Sequence, residues 1–153
     1  MNTFDDPVFR PAELRDIGEI LDMDERARRA LLDHRGGPEW LTEHSALVDW
    51  AEQRVIERSL VAEYAGAVVG YLVHELVERP GRGLVCAVDR VFVEEAAREH
   101  GCGDGLLELA TEVARRAGCR AIEGNALPGD RDTKNLYERA RMKARAIITA
   151  ADL

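Results

Sequence analysis

Between Ser59 and Val93 the chain carries three runs rich in strand-forming residues, separated by two turn signals. "SLVAEY" is followed by Ala65 and Gly66, then by "AVVGYLVHEL". "RPGRG" (Arg79 to Gly83) leads into "LVCAVDRVFV" (Leu84 to Val93). Such runs with tight turns between them predict an antiparallel meander. The middle of the chain is therefore sheet, and the flanks must supply whatever covers it.

On the N-terminal side, "VFRPA" (Val8 to Ala12) reads as a short strand. In "AELRDIGEIL" the residues Leu14, Ile17, Ile20 and Leu21 recur at helical spacing, which predicts an amphipathic helix. "DERARRALLDHRGGPEW" is a charged stretch punctuated by Gly36, Gly37 and Pro38. A second helix is predicted from about Trp40 to Ile56, with Leu47, Trp50, Ala51 and Arg54 on one face. After the meander, Leu106, Ala110, Val113 and Ala117 mark a helix from about Gly103 to Ala117. Arg115 and Arg116 suit its negative end, and Gly118 suits its cap. "AIEGNAL" (Ala121 to Leu127) reads as a strand, "RDTKNLYERA" as a short helix and "ARAIITA" as a last strand. A strand–helix–strand crossover makes at least one pair parallel. The predicted class is α+β: one domain spanning residues 1–153, with a mixed, mostly antiparallel sheet flanked by helices.

The bulk properties exclude several functions. No apolar run approaches the roughly 18 residues a membrane span needs. "MNTFDDPVFRPAELRD" has acids where a signal peptide would carry basic residues, so a cytoplasmic location is expected. A net charge of −8 argues against nucleic-acid binding, which needs Lys and Arg on phosphates, and is compatible with a cationic small partner such as an amine. Cys86, Cys102 and Cys119 are odd in number and fit no metal-knuckle spacing. Reduced thiols and no metal are expected.

Chemistry concentrates in "REHGCGDGLLEL" (Arg98 to Leu109). A strand, then Arg-x-x-Gly-x-Gly, then a helix places free backbone N–H groups at a helix N-terminus, which is an anion site. Gly101, Gly103 and Gly105 let the backbone approach a bulky group, and Arg98 adds a positive charge able to fork onto a phosphate. No Gly-Lys-Ser/Thr follows, so the Walker pattern fails. The Rossmann pattern fails too, because Leu106 stands at its third glycine and a meander precedes the loop. On the glycines alone, a plain loop and an anion site stay equally open.

"VDRVFVEEAAREHGCGDGLL" in this order of elements resembles the GNAT family of N-acetyltransferases. Val91, Val93, Arg98, Gly101 and Gly103 fill the places of that family's hallmark. "FRPAELRDIGEIL", "VVGYLV" and "NLYERARM" extend the resemblance over the whole chain. The resemblance implies acetyl-coenzyme A as acyl donor and an amine of a small molecule or peptide as acceptor. It implies that the stretch Arg98, Glu99, His100, Gly101, Cys102, Gly103, Asp104 and Gly105 holds the pyrophosphate, chiefly through the amides of Glu99 to Gly103. It implies that the backbone of Val91, Phe92 and Val93 pairs with the pantetheine arm as an added strand would. Tyr137 in "NLYERARM" matches the tyrosine that protonates the departing thiolate. Asp130 stands where an asparagine often contacts the pantetheine arm.

The remaining role is a base for the ammonium proton. Asp89 and the histidines are the candidates. Asp89 is two residues from Val91 and so, by simple alternation, on its face; of His74 and Glu75 one should face the cleft. Trp40 and Trp50 read as core residues or as walls of an acceptor pocket. Three positions depart from the family pattern: Glu99 follows the loop arginine in place of glycine, Asp130 replaces asparagine, and Arg141-Met142 replaces Gly-Phe. An arginine in the left-handed conformation common after a helix would be strained. Glu99 and Asp104 also put negative charge near the expected phosphates. These departures motivate an alternative, a non-catalytic CoA-binding or assembly module on the same fold. A homodimer through edge strands or the last strand is compatible with either.

Overall fold

The computed structural model describes residues 6–153. Five strands form one sheet in the order β1 (Val8–Pro11), β2 (Ser59–Tyr64), β3 (Ala67–Arg79), β4 (Gly83–Val93) and β5 (Ala121–Gly124). The first four are antiparallel neighbours, so the predicted meander is present, and β5 runs parallel to β4. The helices are α1 (Ile17–Leu31), α2 (Gly37–Glu43), α3 (Glu52–Arg58), α4 (Cys102–Arg116) and α5 (Arg131–Arg139).

Side-chain alternation along the strands gives the sheet two buried faces. Leu60, Ala62, Leu72 and Val88 pack with Leu106, Leu107 and Ala110 of α4. Val61, Tyr71 and Val73 pack on the other face with Ile20 and Met23 of α1 and Val55 of α3. Gly118 takes φ +82° just past α4, as its place in the sequence predicts.

Four expectations are corrected. The charged stretch "DERARRAL" belongs to α1, with Glu25, Arg26 and Arg29 exposed and Asp24 buried. The single helix expected from Trp40 to Ile56 is instead α2, a short 3-10 turn at Leu47–Asp49 and α3. A tertiary bond marks the break: the buried Asp24 Oδ2 accepts the N–H of Leu47 at 2.8 Å. β5 stops at Gly124 rather than Leu127. The last strand is absent, since residues 143–150 form no element and Ile147 and Ile148 are exposed. β-branched residues give a segment strand propensity, but a strand also needs a partner to pack and bond against.

One strained residue is as expected. Arg141 adopts φ +62° at the end of α5, where its N–H and that of Met142 close on the carbonyls of Glu138 and Tyr137 at 2.9 Å each. A side chain in this conformation costs about 1–2 kcal/mol.

Candidate active site

The site begins at an irregularity in β4. Val73 pairs with Arg90 and His74 with Val88, so Asp89 is an extra residue with no partner on β3. The bulge resets the alternation. Val88, Val91 and Val93 all pack toward α4, although Val88 and Val91 are an odd number of residues apart, while Phe92 turns to the opposite core. Simple alternation therefore fails as the reason for placing Asp89 beside Val91.

At the same point the sheet opens. β5 pairs with β4 only from Val85–Ala121 to Val88–Gly124. Beyond it, residues 90–93 of β4 have β3 on one side and no strand among the described residues on the other. Unpaired strand groups of this kind are a template for an added strand. A cleft of about 420 Å³ occupies the opening. Asp89, Val91, Phe92, Val93, Arg98, Gly103, Asp104, Asp130 and Tyr137 all line it, so most of the expected site residues come together.

The glycine loop closes one end of the cleft. Gly101 takes φ +73° and serves as N-cap of α4, with no side-chain acceptor for the first-turn N–H groups. The donors of Cys102, Gly103 and Asp104 are thus left by the helix itself without a capping side chain. Arg98 is not simply a free charge. Its Nε donates to Val93 O at 3.0 Å and its Nη1 to Asp132 Oδ2 at 3.2 Å, which ties the end of β4 to the start of α5. The Asp104 carboxylate is met by Arg139 Nε at 2.9 Å.

The other loop residues have their side chains outside the cleft. Glu99, His100, Gly101, Cys102 and Gly105 do not line the cleft. His100 stacks on Tyr64, ring centroids 4.4 Å apart, and the Cys102 side chain is buried in the α4 core. Gly105 is corrected outright. Its N–H donates to Gly101 O at 3.0 Å, so it is no free donor. A Cβ there would fall 2.0 Å from the Phe9 ring, so the glycine serves close packing of α4 on β1.

Tyr137 projects from α5 into the cleft and is 8% exposed. Gly124 makes room for it, because a Cβ there would lie 2.5 Å from the phenol oxygen. Burial pushes the phenol well above its ordinary range, with the charges of Asp130 and Asp89 adding to the effect. Tyr137 is thus held protonated, as a hydrogen-bond donor. Asp130 caps α5: its carboxylate accepts from Thr133 N at 3.2 Å and Thr133 Oγ1 at 2.6 Å.

The opposite wall is a buried ion cluster. Asp24 Oδ1 accepts from Tyr71 Oη at 2.8 Å and from Arg90 Nη1 at 3.0 Å. Arg90 Nη2 donates to Ser45 O at 3.0 Å and its Nε to Asp89 Oδ2 at 2.6 Å. The guanidinium lies 5.2 Å from the Trp40 ring centre and 5.5 Å from that of Trp50. Trp40 lines the cleft and Trp50 packs behind it. Sequence reasoning missed Asp24, Tyr71 and Arg90, since nothing local marks them.

Neither His74 nor Glu75 lines the cleft, which corrects that pair of base candidates. His74 is buried with Nδ1 3.2 Å from Arg58 O, and Glu75 pairs with Arg58 at 3.0 Å. Burial lowers the His74 imidazole from its ordinary value. The histidine that does line the cleft is His34, whose buried Nδ1 has no partner among the described residues.

A mixed sheet that splays beside an uncapped helix N-terminus is the fold of the acyl-CoA N-acyltransferases, and comparison with known proteins agrees. The model of the acetyltransferase (GNAT) family matches residues 19–141, so the chain belongs to that family. Among solved structures, it is similar to a ribosomal-protein-alanine N-acetyltransferase from Brucella melitensis biovar Abortus (20% identity, 97% of this chain and 96% of that one, TM-score 0.67). It is also similar to an aminoglycoside N-acetyltransferase in complex with CoA (12% identity, 99% and 98%, TM-score 0.72). A third, from Clostridium acetobutylicum, is described as a predicted acetyltransferase with acetyl-CoA (14% identity, 95% and 96%, TM-score 0.67). At these identities the likeness is one of fold. No curated protein sequence matches the chain significantly.

Proposed function

We propose that the chain transfers an acetyl group from acetyl-CoA to a primary amine of a small molecule or peptide by direct attack. The observation that carries this is the free edge of β4 past the Asp89 bulge, leading to the uncapped start of α4 with Tyr137 alongside. Two of the structural neighbours contain CoA or acetyl-CoA, and two are described as N-acetyltransferases.

The residues fit such a donor. An extended pantetheine arm can add to residues 91–93 as a strand would, and the first-turn amides of α4 suit a pyrophosphate. When bound, acetyl-CoA supplies a thioester carbonyl, and free N–H groups of β4 are suited to polarise it. Asp89 lies in the cleft to receive the proton of the attacking ammonium. Tyr137 lines the cleft as a neutral phenol, placed to donate a hydrogen bond and, as the thiolate departs, a proton to its sulfur.

Calorimetry with CoA and a thiol-release assay over a series of primary amines test this reading. Saturable CoA binding and turnover are expected. Tyr137→Phe should lower turnover about a hundredfold or more, within the usual range for a lost acid catalyst, with CoA affinity nearly unchanged. An absence of CoA binding overturns the reading, and an unchanged rate removes Tyr137 from the mechanism.

A further inference from the structure

The ion cluster on the acceptor wall carries an imbalance. Arg90 is one positive charge shared by two carboxylates, Asp24 and Asp89. Asp24 is almost fully enclosed and both its oxygens accept hydrogen bonds, from Leu47 N on one side and from Tyr71 and Arg90 on the other. Asp89 differs. Its Oδ2 accepts from Arg90, its Oδ1 accepts no hydrogen bond from the described residues, and its side chain keeps 25% exposure at the cleft. The cluster therefore presents its surplus negative charge to the cleft through Asp89. Arg90 fixes the direction, because its planar fork is held at Nε, Nη1 and Nη2 and flanked by two indoles.

The other charges that line the cleft do not cancel the surplus, since Arg98 and Arg139 are paired with Asp132 and Asp104. Asp130 adds a further carboxylate, engaged by Thr133, and Arg28 adds a cation. Arg28 points at main chain: Nη1 donates to His44 O at 2.6 Å and Nη2 to Leu41 O at 3.1 Å, so it serves the C-terminal end of α2. The same cleft is lined by the apolar Ala27, Leu31, Trp40, Phe92 and Leu127 and by the polar His34 and Asn125.

We propose that Asp89, oriented by Arg90, selects as acceptor an apolar-bodied amine that arrives as its ammonium and has no carboxylate beside the nitrogen. This rests on the acetyl-transfer reading and specifies its acceptor. A peptide N-terminus or an alkyl- or arylalkylamine meets the requirement, and a free amino acid does not. In the amino acid the added carboxylate faces Asp89 across a low-dielectric wall, where like charges repel strongly.

The test is binding of 2-phenylethylamine, phenylalanine and 2-phenylethanol to the intact protein by ligand-observed NMR, with and without CoA. The three probes share a ring and differ in charge at the reacting end. Expected is the amine binding tightest, by about tenfold or more over phenylalanine, the size of effect one desolvated charge contact can give. In Asp89→Asn the three should converge. Arg90→Lys keeps the charge and loses the fork, so the preference should shrink without vanishing. Equal affinities in the parent protein, no amine binding, or a preference that survives Asp89→Asn each overturn the proposal. Failure of CoA to bind in the same samples overturns the acetyl-transfer reading instead, so the two failures are distinct.

Discussion

The two walls of the cleft are built by opposite means. The wall expected to hold the donor is wet: uncapped amides of one helix turn, with an Arg98–Asp132 pair and an Arg139–Asp104 pair, both at the surface. The wall expected to meet the acceptor is dry: Arg90 and Asp24 are buried, lie 66 residues apart, and hydrogen-bond to each other beside Trp40, Trp50 and the Ser45 carbonyl. A wet wall can change one residue at a time. A dry one responds as a unit, because removing one charge leaves the other buried without a partner.

The largest effect should follow from that asymmetry. Arg90→Met strips Asp24 and Asp89 of their shared cation and is expected to cost about 3–5 kcal/mol, the usual range for breaking a buried pair. Chemical denaturation measures it. Adding Asp24→Leu should recover part of the loss, because the stranded carboxylate goes with it. A loss within about 1 kcal/mol, the range of an exposed pair, would erase the distinction between the walls.

How far the site could be read in advance follows the same division. Val91, Val93, Arg98, Gly103 and Tyr137 lie in short segments that carry the family resemblance, and that these line one cleft was legible from them. The acceptor wall was not, since no local pattern joins Asp24 to Arg90, and the bulge at Asp89 leaves no mark in a run of strand-forming residues. The misreadings have related causes. Gly105 looks like a third member of the loop motif but answers to Phe9, from the start of the chain. "ARAIITA" has the composition of a strand, yet strand pairing depends on a partner that its own sequence does not specify.

A smaller effect separates the glycines. Gly105→Ala forces a methyl into the Phe9 ring and should destabilise by about 1–3 kcal/mol, as overpacking does, with CoA affinity little changed. Gly101→Ala meets no atom within 4 Å but keeps φ +73°, so its cost should be the backbone strain alone, about 1–2 kcal/mol, with distortion of the first-turn amides. Stability and CoA affinity measured together sharpen the contrast. If Gly105→Ala weakens CoA binding at unchanged stability, then Gly105 belongs to the donor wall after all.

The smallest effect on stability is expected at Asp104, and it tests whether the donor wall is governed by screened charge. Asp104 places a carboxylate beside the expected phosphates, and Arg139 partly neutralises it. Both side chains are more than half exposed, so Asp104→Asn should change stability by less than about 1 kcal/mol. Its effect on binding should be larger. With the carboxylate gone, Arg139 is free to face an anion, and CoA affinity should rise. The gain should shrink steeply between about 0.05 M and about 0.5 M salt, because screening over these distances grows with ionic strength. The ion cluster opposite is buried, so the amine preference at Asp89 should change much less over the same salt range. Calorimetric titration of CoA and NMR titration of 2-phenylethylamine at both salt concentrations give the two slopes. Equal slopes would mean that the walls share one electrostatic environment, and the division between wet and dry would fail.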